Sequence, residues 1–516
     1  MSEGLKRGYL RRESGLLLHP TSLPGAHGIG DLGVEARQFV DFLDQAGQRL
    51  WQILPLGPLG SGNSPYASPS AMAGNPLLIS LSLLADEGLL PSRRLLDVPA
   101  MPAKQVDYSA VAGFKIPLLR DACRHFLADA SSLQRSDYQS FLDSNRFWLE
   151  DYALFAALKE AHGGKSWIEW EPEIASRRPS AMDHWYRQLS EEIAFHQFSQ
   201  YLFYRQWSAL KQYANLHKVR IVGDIPIFVA LDSSDVWARP ELFHLDSSGR
   251  PTVVSGVPPD YFSKTGQRWG NPLYRWDVMA REGYNWWIER FRVALSQLDM
   301  VRIDHFRGFQ AYWEVPTNRK TAEYGRWVPG PGTALFRALE EALGPLPVIA
   351  EDLGVITPDV EALRLRLGYP GMKVLHFGFS DDACNPHLPH NFTERCVVYT
   401  GTHDNDTTVG WFQSQGPREQ RSVLRYLGTR GDEIHWELIR LAMASVAMVS
   451  IVPMQDVLGL GSDARMNQPG LPSGNWGWRF TSESITPERV CRLREMAEVY
   501  GRVEPTRPKE SPLLSS

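Results

Sequence analysis

The chain has 516 residues, 43% hydrophobic and 22% charged, a balance that excludes a disordered protein. Its net charge of −5 gives no electrostatic case for nucleic acid or an anionic membrane, and no apolar run is long enough to span a bilayer. Cys123, Cys384, Cys396 and Cys491 have neither zinc-site nor disulfide spacing, and the polar, basic first twelve residues are not a signal peptide, so a reduced, cytoplasmic enzyme is expected.

In chain order, residues 16–22 form the first candidate strand and 49–56 the second. Between them Val34, Phe39, Phe42, Leu43 and Ala46 recur broadly at helical spacing, and Gly47 supplies a left-handed stop. The third strand, 220–226, comes only after roughly 160 residues, far beyond an ordinary βα connection. The pattern in that insertion, about 60–215, is mainly helical, with clear stretches at 145–161 and 191–216. A second excursion, about 227–283, is rich in Gly, Pro and aromatic residues and reads as an ordered irregular loop covering a substrate. The fourth strand is 300–304, preceded by an apolar helical stripe of Trp287, Phe291, Leu295 and Leu298. A helix over 333–343 ended by Gly344 leads to strand five, 348–351. Thr357-Pro358 opens another helix, and strands six to eight follow at 372–379, 396–400 and 447–454. Eight strands alternating with helices predict an α/β protein with a (β/α)8 TIM barrel, here as one catalytic domain over 1–516 with a mobile tail from 504.

Three of these strands run out into acids: Asp304, Glu351 and Asp404. An acid buried without a partner is costly, so three acids at strand ends point to one shared site at one end of the barrel. Arg302 lies two residues before Asp304 and leaves the same strand face, where a guanidinium favours the ionised carboxylate of a nucleophile. A structural ion pair at the barrel rim is the competing explanation. Glu351 emerges from Val348-Ile349-Ala350, where partial desolvation raises a carboxyl towards proton-donor range; a capping role is the alternative. Asp352 beside it faces the other way and reads as structural. Asp404 sits in Thr402-His403-Asp404-Asn405, a cluster suited to sugar hydroxyls, and no second histidine stands at metal spacing, so no metal is expected. Tyr66, after strand two, is a sugar platform or a turn-anchoring tyrosine.

These segments taken together resemble the 4-alpha-glucanotransferase (amylomaltase) family, glycoside hydrolase family 77. The resemblance runs from about residue 15 to 478 and rests on Leu18-His19-Pro20-Thr21-Ser22-Leu23-Pro24, Ser64-Pro65-Tyr66, Gly223-Asp224-Ile225-Pro226, the 259–276 loop, Arg302-Ile303-Asp304-His305-Phe306, Ala350-Glu351-Asp352-Leu353-Gly354, Thr402-His403-Asp404-Asn405 and Arg465-Met466-Asn467-Gln468-Pro469. It implies Asp304 as nucleophile, Glu351 as general acid/base and Asp404 as transition-state stabiliser. It also implies substrate contacts from Arg302, His403, Tyr66, Ser64, Trp269, Asn467, Pro469 and Asp381, with Asp382 as the alternative alignment. It implies no cofactor, and maltooligosaccharides, glycogen or starch as substrates. An α-glucan hydrolase of the amylase type, using the same three acids, is the alternative activity.

Overall fold

The computed structural model describes residues 9–259, 263–379 and 382–504; Asp381 and the tail beyond Glu504 lie outside them. Eight short strands make one parallel sheet: β1 (Glu13–Leu17), β2 (Leu50–Gln52), β3 (Arg220–Pro226), β4 (Met300–Asp304), β5 (Val348–Ala350), β6 (Gly371–Val374), β7 (Cys396–Tyr399) and β8 (Val449–Pro453). Their order is β6-β7-β8-β1-β2-β3-β4-β5. The two ends of that order meet where the Ala350 amide donates to the Pro370 carbonyl at 3.0 Å. Asp352 strengthens the seam, accepting the Met372 amide at 2.6 Å and pairing with Arg364 at 3.0 Å, which is the structural role expected of it. The result is a near-closed (β/α)8 barrel with helices outside. Its strands are buried on both faces, as parallel strands under a helical shell must be.

The helix Val34–Gln45 turns Ala36, Phe39, Val40, Phe42 and Leu43 inward and is followed by Gly47 at φ +68°, the left-handed stop read from the sequence. The helices Thr333–Leu343 and Pro358–Leu367 end at Gly344 and Gly368. Three strands differ clearly from expectation, and one of them is β2, which covers only Leu50–Gln52 of the expected 49–56. β1 starts earlier and stops at Leu17, because Pro20 brings no amide and Pro20–Ser22 turns into a 3-10 helix. β6 covers only Gly371–Val374, since Leu375–Phe377 also winds into a 3-10 turn.

The insertion between β2 and β3 is built on the helices Tyr108–Asp129, Ser132–Ala161 and Ser190–Leu216. The first escapes a sequence reading because Pro117 interrupts it. The excursion after β3 is more regular than its composition suggests. Val253–Val257 and Gln267–Pro272 join Ala311–Pro316 and Arg326–Pro329 in a four-stranded antiparallel sheet beside the barrel. Two of its strands lie beyond β4, so no local alternation announces it. Among the described residues, no helix is long and apolar enough to cross a membrane.

Candidate active site

β3 and β4 pair in parallel with Asp224 opposite Arg302 and Pro226 opposite Asp304. Side chains two apart on a strand share a face, so Arg302 and Asp304 project together. The buried Arg302 guanidinium donates to Asp224 Oδ2, and its Nη2 lies 3.1 Å from Asp304 Oδ1. Burial alone would lower the pKa of Arg302; the negative charges of Asp224 and Asp304 outweigh it and fix the cation.

Asp224 was not singled out in the sequence, although it too closes an apolar run. The strand simply continues through Ile225-Pro226 past it. It also accepts the Tyr66 hydroxyl at 2.7 Å. Ser64 caps the short turn that holds Tyr66, its Oγ accepting the Tyr66 amide at 3.2 Å. One face of Tyr66 is covered by the His403 ring, 5.2 Å away and nearly parallel at 14°, so this tyrosine braces the site as well as lining it.

On the next strand the register Ile303 opposite Ala350 continues into Asp304 and Glu351, one residue beyond on each side. The Glu351 amide donates to the Ile303 carbonyl at 3.0 Å. Its side chain accepts the His305 amide at 2.7 Å on Oε2 and the Leu353 amide at 2.8 Å on Oε1. His305 adopts φ +53°, a left-handed conformation for a non-glycine residue, and so turns its amide onto the acid.

The third acid comes from the loop after β7. Asn467 donates to Asp404 Oδ1 at 2.6 Å, and Arg465 donates to the Asp404 carbonyl at 2.5 Å. His403 Nε2 lies 3.4 Å from Asp404 Oδ1, and burial lowers the His403 pKa, which keeps the imidazole neutral against the pull of Asp404. Trp269 reaches over from the accessory sheet, its ring edge-on to His305 at 4.8 Å and 38% exposed. Pro469 stands in the exposed turn after Asn467.

Burial raises the pKa of Glu351, and burial with Asp224, Glu351 and Asp404 raises that of Asp304 against the opposing Arg302. The Asp304 side chain nevertheless keeps 32% exposure and lies at the Arg302 guanidinium, which opposes that rise. A step that needs Glu351 protonated therefore survives above the ordinary glutamic acid value of 4.5 and is lost as pH rises through the elevated one. The pH dependence of kcat/KM on maltotriose should show that displaced alkaline limb; a limb near 4.5 would contradict it. Among the described residues, no group of three His, Cys, Asp or Glu is arranged to hold a metal ion.

The family model described as 4-alpha-glucanotransferase matches residues 18–485. A 4-alpha-glucanotransferase of Thermus thermophilus is 56% identical over 502 residues, covering 96% of this chain and 100% of that one. One from Synechocystis sp. is 53% identical over 496 residues, covering 95% of this chain and 98% of its own. An amylomaltase from Streptococcus agalactiae in complex with acarbose superposes with a TM-score of 0.93 at 41% identity, over 96% of this chain and 100% of that chain.

Proposed function

The chain belongs to the 4-alpha-glucanotransferase family, glycoside hydrolase family 77, and from that premise we propose a retaining double displacement through an ester on Asp304. One observation carries the proposal: Asp304 and Glu351 end adjacent parallel strands at the same level, with Arg302 in direct ion-pair contact with the first. Neighbouring strands lie about 4.7–4.9 Å apart. That spacing suits the separation of about 5–5.5 Å between the two carboxyls of a retaining enzyme, and not the wider gap of an inverting one.

Asp304 attacks the anomeric carbon of an α-1,4-linked glucosyl unit while Glu351 gives its proton to the glycosidic oxygen. The C–O bond breaks and the reducing-end fragment leaves. Glu351, now a base, takes the proton of the 4-hydroxyl of an incoming maltooligosaccharide, whose oxygen displaces Asp304 with net retention. Asp404 offsets positive charge on the ring in both transition states, and Arg302 holds Asp304 ionised before the first attack and stabilises the carboxylate that the second displacement releases. Neutral His403 donates to a substrate hydroxyl, with Tyr66 behind it. Ser64, Trp269, Asn467, Pro469 and the acid at 381 complete the sugar contacts.

The helical insertion at about 60–215 and the excursion at about 227–283 belong with the barrel in one catalytic domain. A cytoplasmic setting goes with free thiols at Cys123 and Cys396. Glycogen or starch chains and free maltodextrins are the substrates this chemistry serves.

Transfer requires the ester to meet sugar before water. The half-exposed Trp269 beside His305 is positioned to stack an acceptor ring and exclude water. Trp269→Ala should therefore raise the hydrolysed fraction of donor several-fold, by roughly 1 kcal/mol or more of lost stacking. An unchanged ratio of transfer to hydrolysis, measured by glucose and oligosaccharide analysis, would remove Trp269 from this role. The transfer half of the proposal is tested with maltotriose alone. A transferase makes glucose together with chains longer than three units, whereas a hydrolase makes nothing longer than its substrate.

A further inference from the structure

We propose that Asp456 is the positioning residue for the loop that carries His403 and Asp404, clipping both ends of that loop with one carboxylate. The inference rests on the role given above to Asp404. Asp456 lies just beyond β8, in Met454–Leu458, and is 1% exposed. Its Oδ2 accepts the Thr400 hydroxyl at 2.6 Å and the Thr408 hydroxyl at 2.7 Å, and its Oδ1 accepts the Thr408 amide at 2.7 Å. Thr400 is the residue after β7, and Thr408 opens the helix Thr408–Ser414. The seven residues 401–407 between them therefore leave and return at the same buried anion.

A buried carboxylate satisfied by three donors is a stiff anchor, because each donor it loses leaves a lone pair dry. The network extends beneath the loop. With its own proton given to Asp456, the Thr408 hydroxyl accepts from His376 Nε2 at 3.0 Å. Burial holds the His376 pKa down at about 3, so the ring is neutral with its proton on that nitrogen. It lies flat on Trp411, centroids 4.5 Å apart at 5°. Gly401, the first residue of the loop, rests on this ring: a β-carbon there would come within 2.8 Å of His376 Cε1. Asp456 touches neither Asp404 nor His403 in this network. It sets where their backbone starts and stops, while Asn467 and Arg465 set the carboxylate's final direction.

The test is a comparison in two backgrounds. In the full-length enzyme, Asp456→Asn should lower kcat on maltotriose by about 10- to 100-fold, the scale of a displacement of about 1 Å at a reacting centre. KM should stay within about threefold, since the loss falls on the transition state. In the Asp404→Asn background the same substitution should have a much smaller effect, because most of its action on turnover passes through Asp404. Thr400→Val, which removes one donor without changing shape, should repeat the pattern at smaller size and carries the same comparison if Asp456→Asn does not fold. A folded Asp456→Asn enzyme with wild-type kcat overturns the proposal, as does an equal loss in both backgrounds. If Asp404→Asn alone keeps wild-type turnover, the premise about Asp404 falls first, whatever Asp456 does.

Discussion

Asp304→Asn is expected to lower turnover of maltotriose by on the order of 10⁴- to 10⁶-fold, the scale found when a covalent nucleophile is removed. Binding of maltotriose should largely persist, because Tyr66, His403, Asn467 and Trp269 keep their positions. Stability should not fall. Arg302 retains Asp224, its register partner, while the site sheds one of the acids that raise one another's pKa around a single guanidinium. The enzyme thus holds Asp304 against electrostatic preference, and the asparagine variant should melt at the same temperature or higher. Kinetics with calorimetry on one preparation checks both halves. A variant that is inactive because it is unfolded would not support Asp304 as nucleophile.

Asp31→Ala is expected to cost about 3–5 kcal/mol in denaturant unfolding, with the active-site chemistry unchanged in the folded fraction. Lys115, on the inserted helix Tyr108–Asp129, is wholly buried, and its ammonium lies 3.4 Å from Asp31 Oδ2. Asp31 precedes the first barrel helix and also accepts the Gly33 amide at 2.9 Å. This pair therefore fastens the insertion to the barrel, and removing the acid leaves a buried cation uncompensated. Burial pushes the Asp31 carboxyl up, but Lys115, His27 and the Gly33 amide outweigh it and leave it below its ordinary value. A depressed carboxyl contributes stability above its unfolded value, so this share is present at neutral pH and lost as pH falls through the folded value. The variant should show a weaker acid dependence than the wild type. A loss below about 1 kcal/mol would mean that Lys115 finds another partner or shifts to neutral.

How far the sequence could be read follows the range of the forces involved. β4 was legible to the residue, because Met300, Val301 and Ile303 make a short apolar run that ends on an acid after a helical stripe. The Arg302–Asp304 contact followed from strand alternation alone. Asp224 escaped because its importance comes from a partner 78 residues away, and only the register of β3 with β4 brings them together. Tyr66 was legible as a residue near the site, but its stacking on His403 depends on the loop after β7. The accessory sheet was missed partly for the same reason: Val253–Val257 pairs locally with Gln267–Pro272, but its other partner, Ala311–Pro316, lies across the whole of β4. The Asp31–Lys115 pair joins the barrel to its insertion across 84 residues and leaves no local pattern at either end.

The most direct measurement uses Glu351→Gln with α-maltotriosyl fluoride, whose fluoride leaves without needing the missing proton. The first displacement then proceeds, and the second lacks its base. Peptide mass spectrometry of the quenched enzyme should find the maltotriosyl group esterified to the peptide holding Asp304, with one fluoride released per active site. Sugar attached at Asp404 or elsewhere, or fluoride released stoichiometrically with no bound sugar, would contradict an ester on Asp304.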